Sequence, residues 1–355
     1  MTLDQDIVFE FRDGLGVVTL NRPQALNALT LAMCEAFDRQ LAAWARDPAV
    51  RAVLVKGAGG RAFCAGGDVR AIWRAGKAGE PLTADFFRAE YRLNRRIHTL
   101  AKPYIALIDG ITMGGGVGIS VHGSHRIATE HTVFAMPETG IGLFPDVGGT
   151  YFLPRLAGHL GLYLGLTGAR LKAADTCHAG IATEYMPAAR LDALEAALAA
   201  ADWGGDANGA VDRAVAGFAA DPGPAPLDAH RANIDRCFAG ESVEAILAAL
   251  AAEAEADSWA AATLATLRDR SPTSLKVTFE AIRRGGELDF DRAMIMEYRL
   301  SQACLARHDF YEGIRALMID KDGAPSWEPE ALAAVTPAMV EAHFAPLGAR
   351  ELTFD

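Results

Sequence analysis

The sequence predicts an α/β fold that gives way to a largely helical C-terminal region, and three observations carry that expectation. Short apolar runs in the first half each lead into a glycine-rich stretch; helix-period segments lie between them; and beyond residue 187 the composition shifts towards Ala, Leu and Glu. Strand, glycine loop and helix in succession place ligand groups at strand ends.

Taken in order, Ile7–Phe11 and Val17–Leu20 flank Asp13-Gly14, a hairpin turn pair. From Thr30 to Arg46, Leu31, Cys34, Phe37, Leu41 and Trp44 recur at helical spacing behind Thr30 as N-cap. Ala52–Val55 and Tyr104–Ile108 read as buried strands, with a helix over Ala84–Leu100 between them. Gly204-Gly205 and Asp221–Pro226 interrupt helical material, and Ser271-Pro272 reads as a new helix start. The expected organisation is a core over 1–186 that carries the active site, an Ala-rich helical segment over 187–270 and a C-terminal helical region over 271–355. No internal repeat of the length that marks solenoids is visible.

Of 355 residues, 51% are hydrophobic and 22% charged, enough apolar material for a sizeable core. The net charge of −11 argues against general affinity for nucleic acid or for anionic membranes. The longest uncharged run, Gly110–His125, has sixteen residues and six glycines, too short and too polar to span a bilayer. Five cysteines without a CxxC pair suggest neither a disulfide framework nor a zinc site and fit reduced thiols. The acidic opening lacks the marks of a signal or transit peptide, so a cytoplasmic location is expected. Arg outnumbers Lys 28 to 6 and Ala is abundant, which points to a bacterial source.

Walker A, GxGxxG, GxSxG and HExxH motifs do not occur. His122, His125 and His131 lack zinc spacing and read as ordinary histidines, and Cys64 has no adjacent base and reads as small buried filler. No metal is expected.

Three segments carry the chemistry. Ala62-Phe-Cys-Ala-Gly-Gly-Asp68 and Gly110-Ile-Thr-Met-Gly-Gly-Gly-Val-Gly118 each follow a strand and offer backbone N–H groups at a helix start. Either loop alone reads as a tight turn; two of them can aim two donors at one oxygen, which is an oxyanion hole. The third, Phe134 to Gly149, holds Glu138 and Asp146 in a loop broken by Pro137, Gly140, Gly142 and Pro145. Its apolar neighbours, Met136, Ile141, Leu143, Phe144 and Val147 among them, would raise a carboxyl pKa towards the range useful for general acid–base work.

With these segments on view, the chain resembles the enoyl-CoA hydratase/isomerase (crotonase) superfamily through Asn21-Arg-Pro-Gln-Ala-Leu-Asn-Ala28, Phe63-Cys-Ala-Gly-Gly-Asp68, Gly114-Gly-Gly116, Pro137-Glu138 and Gly148-Gly-Thr150. The resemblance implies a crotonase-like spiral of β-β-α units and an acyl-CoA ligand. Its thioester oxygen would sit on the N–H groups of Gly67 and Gly115, and its CoA arm along Gln24, Ala25, Leu26 and Ala65.

Hydratases of the superfamily carry two catalytic glutamates, and the first falls on Gly118, which handles no proton. The Met136–Gly149 stretch and the tail Phe310–Asp322, with Trp327 beyond it, are instead similar to the 3-hydroxyisobutyryl-CoA hydrolase branch of valine degradation. That branch implies Glu138 and Asp146 as active carboxylates and Glu90 as a lining residue. Its own setting in the sequence reads Glu90 as a helix-surface charge. The expected reaction is hydrolysis of a short 3-hydroxyacyl-CoA, with Glu138 as nucleophile or as general base, both roles being open. No cofactor is expected, since coenzyme A is part of substrate and product; a homo-oligomer is a partner to test for. The alternatives are a hydratase or isomerase of the superfamily, and a non-catalytic acyl-CoA binder.

Overall fold

The computed structural model describes residues 6–354; Met1–Gln5, where the opening read for targeting signals begins, lie outside the described residues. In chain order the strands are β1 (Ile7–Arg12), β2 (Leu15–Leu20), β3 (Ala52–Gly57), β4 (Ala62–Cys64), β5 (Tyr104–Ile108), β6 (Ile111–Met113), β7 (His125–Ala128), β8 (Val133–Ala135), β9 (Leu171–Lys172) and β10 (Glu184–Tyr185).

The hairpin forms as the Asp13-Gly14 pair predicts. Both turn residues are left-handed (φ 47° and 96°), and β1 pairs antiparallel with β2 from Ile7↔Leu20 to Arg12↔Leu15. All further neighbours in that sheet are parallel, in the order β1-β2-β3-β5-β7-β10. A second sheet has the order β4-β6-β8-β9. From β3 to β8, successive strands therefore alternate between the two sheets. β3 and β4 lead to the helix Val69–Ala78, β5 and β6 to the helix Gly115–Gly118, and β7 and β8 to a 3-10 turn at Glu138–Ile141. This is the expected β-β-α repeat.

The residues fall into two compact units, interleaved along the chain. One takes the chain up to Asp68, Arg92–Phe134 and Arg170–Ala225; the other takes Val69–Tyr91, Ala135–Ala169 and the chain from Pro226 onward. The helices of 187–225 thus belong with the sheets, and those of 226–270 with the C-terminal helices.

In the first unit, Leu15 and Val17, Ala52 and Leu54, Ile105 and Leu107, and Ile127 line one sheet face by strand alternation. Leu194, Leu198, Val211 and Val215, from the helices Leu191–Ala199 and Ala207–Ala216, pack on that face. Val18, Val53, Val55, Ala106 and Ile108 on the opposite face are buried too. Burial on both faces is why these strands read as continuous apolar runs. The helix Leu31–Arg46 starts as predicted, with the Thr30 hydroxyl accepting from the Met33 N–H at 3.2 Å, and buries Met33, Cys34, Phe37, Leu41 and Trp44.

The second unit is helical. Pro272 stands in the first turn of the helix Pro272–Gly285, where its missing N–H is harmless, and Ser271 caps it through the Ser274 N–H at 3.0 Å. The helix expected over 84–100 runs from Leu82 to His98. Among the described residues, no helix is long and apolar enough to cross a membrane.

Candidate active site

The two glycine loops come together within the first unit. β4 and β6 pair in parallel, so Ala65-Gly66-Gly67 and Gly114-Gly115 leave the sheet side by side. A Cβ built on Gly66 would lie 3.7 Å from the Gly115 nitrogen. The first loop is tied to the segment before the helix Leu31–Arg46: Leu29 N–H donates to Gly66 O, and Asp68 N–H to Leu29 O, each at 2.8 Å. Neither bond uses the N–H of Gly67. Gly115 opens a short helix, where first-turn N–H groups have no intrahelical acceptor. The helix presses on β4 so closely that a Cβ on Gly116 would stand 2.1 Å from Cys64 O.

Pro23–Ala25 form a single 3-10 turn that Leu26 closes in the left-handed region (φ 51°), and Ala65 N–H donates to Leu26 O at 3.0 Å. Gln24, Ala25, Leu26 and Ala65, expected to hold the CoA arm, therefore form one patch of backbone. Fully buried Asn27 pins it. Its amide nitrogen donates to Ala58 O (3.0 Å) and Ala62 O (2.9 Å), and its amide oxygen accepts from Arg22 N–H (2.9 Å).

The carboxylates gather in the second unit. Pro137 precedes the 3-10 turn Glu138–Ile141, and Gly142, left-handed at φ 70°, lets the chain turn against the Asp309 backbone, where a Cβ would come within 2.2 Å. Thr139 fastens the turn, its hydroxyl donating to Leu166 O at 3.0 Å and its carbonyl accepting from Ser271 N–H at 3.2 Å. The turn brings buried Glu138 and Asp146 into electrostatic contact, together with Glu90. Glu90 is 2% exposed, so the surface reading of that residue is corrected. Its helix turns Phe86, Phe87, Glu90 and Tyr91 inward together, and the charge goes with the aromatics.

Burial dominates the electrostatics. It pushes the Glu90 and Glu138 carboxyls well above the usual carboxylate range, and the neighbouring acids push the same way. Asp146 rises to about 7 through burial, opposed by the Tyr91 hydroxyl, which donates to its Oδ2 at 2.7 Å. At about 7, Asp146 can exchange a proton near neutral pH. Glu90 Oε1 and Glu138 Oε2 are buried without a hydrogen-bond partner, and buried polar atoms are paired in nearly all native sites, so these two point to a ligand.

The sequence reading missed Tyr91, Asn27 and Glu297. Glu297 is fully buried on the helix Phe290–Leu305; its carboxylate accepts from Gly148 N–H (2.7 Å), Thr150 N–H (2.9 Å) and the Thr150 hydroxyl (2.7 Å). Burial raises its pKa to about 8 against those three donors. A signal existed, since Glu297 stands on the buried stripe of Phe290, Ala293, Met294, Leu300 and Ser301, where a charge is out of pattern. Of the residues set aside, His125 and His131 lie 2.9 Å from Asp212 and Asp109 carboxylates, and Cys64 is buried.

Known proteins are similar to the chain over nearly its whole length. The chain is 52% identical over 340 residues to the mitochondrial 3-hydroxyisobutyryl-CoA hydrolase of Xenopus laevis, covering 95% of this chain and 88% of that one. It is 46% identical over 361 residues to the human protein of the same name, covering 99% and 91%. Among solved structures, a carnitinyl-CoA dehydratase from Mycobacterium thermoresistibile superposes with a TM-score of 0.92 at 44% identity, covering 99% of both chains. An enoyl-CoA hydratase from Rhodobacter sphaeroides gives 0.88 at 42%, covering 98% of this chain and 100% of that one. A model of the enoyl-CoA hydratase/isomerase family matches residues 15–344, which takes in both glycine loops and Glu90, Glu138, Asp146 and Glu297, and the chain belongs to that family.

Proposed function

We propose that the protein hydrolyses the thioester of a short 3-hydroxyacyl-CoA, 3-hydroxyisobutyryl-CoA foremost, to 3-hydroxyisobutyrate and CoA. The observation that carries this reading is Glu138. It is buried, has a carboxyl pushed well above the usual carboxylate range and has an unpartnered carboxyl oxygen, while position 118, where hydratases of the resembled superfamily hold the first of their two catalytic glutamates, is a buried glycine. One carboxylate at that place suits attack on a carbonyl better than syn addition of water by two. The hydrolase relatives support the same reading.

In this mechanism Gly67 and Gly115 N–H groups stabilise charge on the thioester oxygen; losing one such donor costs on the order of a hundredfold or more in rate. Glu138, ionised for the step, takes a proton from water as its oxygen bonds to the acyl carbon, and returns it to the sulfur as the C–S bond breaks. In the alternative, Glu138 attacks the acyl carbon and expels CoA as the thiolate, and water then cleaves the resulting anhydride, freeing the acid and Glu138 while the proton it releases passes to the thiolate. Asp146 and Glu90 hold the 3-hydroxyl. A site built around a hydroxyl rejects analogues without one, so plain acyl-CoAs are poor substrates. Every step uses groups of the chain and substrate, so no cofactor is required. CoA is held along Gln24–Leu26 and Ala65.

The test is thiol release over a panel of acyl-CoAs, with Glu138→Gln as the variant. Release from 3-hydroxyisobutyryl-CoA should fall by about a hundredfold or more in the variant; near-normal release would remove Glu138 from the mechanism. Single turnover in heavy-oxygen water separates the two routes, because label enters Glu138 only through the anhydride. The names of the two solved structures favour a second reading, hydration, and loss of enoyl absorbance from crotonyl-CoA without thiol release would select it.

The free thiols fit a reducing compartment. The curated relatives are named mitochondrial, so they lend no support to a bacterial cytoplasm, which rests on composition. Association into a homo-oligomer is a separate proposal, read by sedimentation.

A further inference from the structure

We propose that Glu297 is a positioning residue for Asp146, clamping the Asp146–Thr150 turn in the one backbone form that aims the Asp146 carboxyl. The inference rests on the hydrolase reading above, in which Asp146 holds the 3-hydroxyl of the substrate.

The turn does not hold itself. Val147 and Gly148 are both left-handed, at φ 51° and 86°, and Gly149 N–H donates to Asp146 O at 2.7 Å. For valine this is an outlying conformation, because its branched Cβ crowds the backbone; such strain persists only where the surroundings over-determine it. The short helix that follows, Gly149–Phe152, starts at Gly148, which has no side chain to cap it. Its buried N–H groups are satisfied from another helix, by the Glu297 carboxylate. Oε2 takes the Gly148 N–H, and Oε1 takes both the N–H and the hydroxyl of Thr150.

All three partners are donors, so once Glu297 is ionised, above about pH 8, both carboxylate oxygens act as acceptors, and the comparison below is made at about pH 9. An amide in the same place turns an NH2 towards a donor and loses at least one of the bonds. Apolar packing alone gives no reason for a carboxyl here, since the neighbours on the stripe are Ala293, Met294, Leu300 and Ser301. The residue is explained by the turn it grips, and that turn begins at Asp146. Tyr91 supplies the second point of attachment, on the side chain itself.

The experiment compares Glu297→Gln with the unaltered protein on two substrates, 3-hydroxyisobutyryl-CoA and isobutyryl-CoA, which lacks the hydroxyl. A misaimed Asp146 lowers kcat for the hydroxylated substrate by about tenfold or more, with KM changed less than about threefold, while the slow turnover of isobutyryl-CoA changes less than about twofold. Equal loss on both substrates, or no loss on either, overturns the proposal. If Glu297→Gln does not fold, Thr150→Val removes only the hydroxyl contact. A selective loss of about threefold is then expected and an unselective or absent loss overturns the idea. Asp146→Asn is run beside them. If it keeps full preference for the hydroxylated substrate, the role of Asp146 in the hydrolase reading fails, a result separate from that of either Glu297 or Thr150.

Discussion

The phenol of Tyr91 donates to Asp146 Oδ2 at 2.7 Å, and both groups are buried. Tyr91 follows Glu90 on one helix, so two consecutive residues serve the same carboxyl cluster, one as an acid of it and one as a donor to it. The hydrogen bond favours ionised Asp146 and works against burial, which lifts the carboxyl to about 7.

Tyr91→Phe therefore leaves Asp146 protonated to higher pH. The acid limb of the kcat/KM profile for 3-hydroxyisobutyryl-CoA should move upward, with activity approaching that of the unaltered protein by about pH 9. An acid limb in the same place would show that the phenol does not set the charge of Asp146.

Stability should show the same carboxyl with its own sign. Asp146 titrates at about 7 in the folded protein against a reference of 3.8, so between those values the native state binds more protons than the unfolded one. Its contribution is present in full below pH 3.8 and is lost as pH rises through about 7. Asp146→Asn, which keeps an acceptor for Tyr91 but never ionises, should match the unaltered protein near about pH 4 and exceed it by up to about 4 kcal/mol near about pH 8. Denaturant unfolding at the two pH values measures the gap; equal gaps at both would mean that Asp146 does not ionise at a cost in the native state. Glu297, raised to about 8, acts in the same direction and remains in that variant.

The difference between what the sequence disclosed and what it hid follows from the range of the interactions. The hairpin, the Thr30 and Ser271 caps, and the buried strands are set by residues within a few positions of one another, and all stand as read. Glu138 and Asp146 were legible because the apolar company that buries them is local in sequence. The burial of Glu90 was not legible in its own neighbours, and only the resemblance placed it as a lining residue, since the carboxyls it meets lie roughly fifty residues on and beyond. Glu297 meets Gly148 across 149 residues. Its only local trace was a charge on an apolar stripe.

Asn27 offers a test of the patch assigned to the CoA arm. It sits in the left-handed region at φ 58°, which asparagine tolerates, and its amide closes three hydrogen bonds, the one to Ala62 O buried and the other two part-buried. Asn27→Gly keeps the backbone freedom and removes the bonds, leaving two carbonyls and an N–H unmet at about 1–3 kcal/mol each. Unfolding should show a loss of several kcal/mol, and KM for acyl-CoA should rise by about tenfold with kcat changed less. A variant with unaltered KM would detach this turn from CoA binding.

Gly116 tests the proposed oxyanion hole without altering either donor residue. A Cβ there would meet Cys64 O at 2.1 Å and Cys64 C at 2.8 Å, both backbone atoms held in β4, so the helix Gly115–Gly118 must back away from the strand. Gly115 moves with it, and the spacing between its N–H and that of Gly67 opens. Since displacement by about an ångström costs on the order of a hundredfold in rate, Gly116→Ala should lose kcat by about that factor, beyond the 1–3 kcal/mol that overpacking takes from stability. Ser120→Ala is the control. It removes the 2.8 Å bond from the Ser120 hydroxyl to Gly116 O on the same helix while adding no atom against β4, and kcat should stay within about threefold. A folded Gly116→Ala protein with unaltered thiol release would mean that the Gly115 N–H does not take the thioester oxygen.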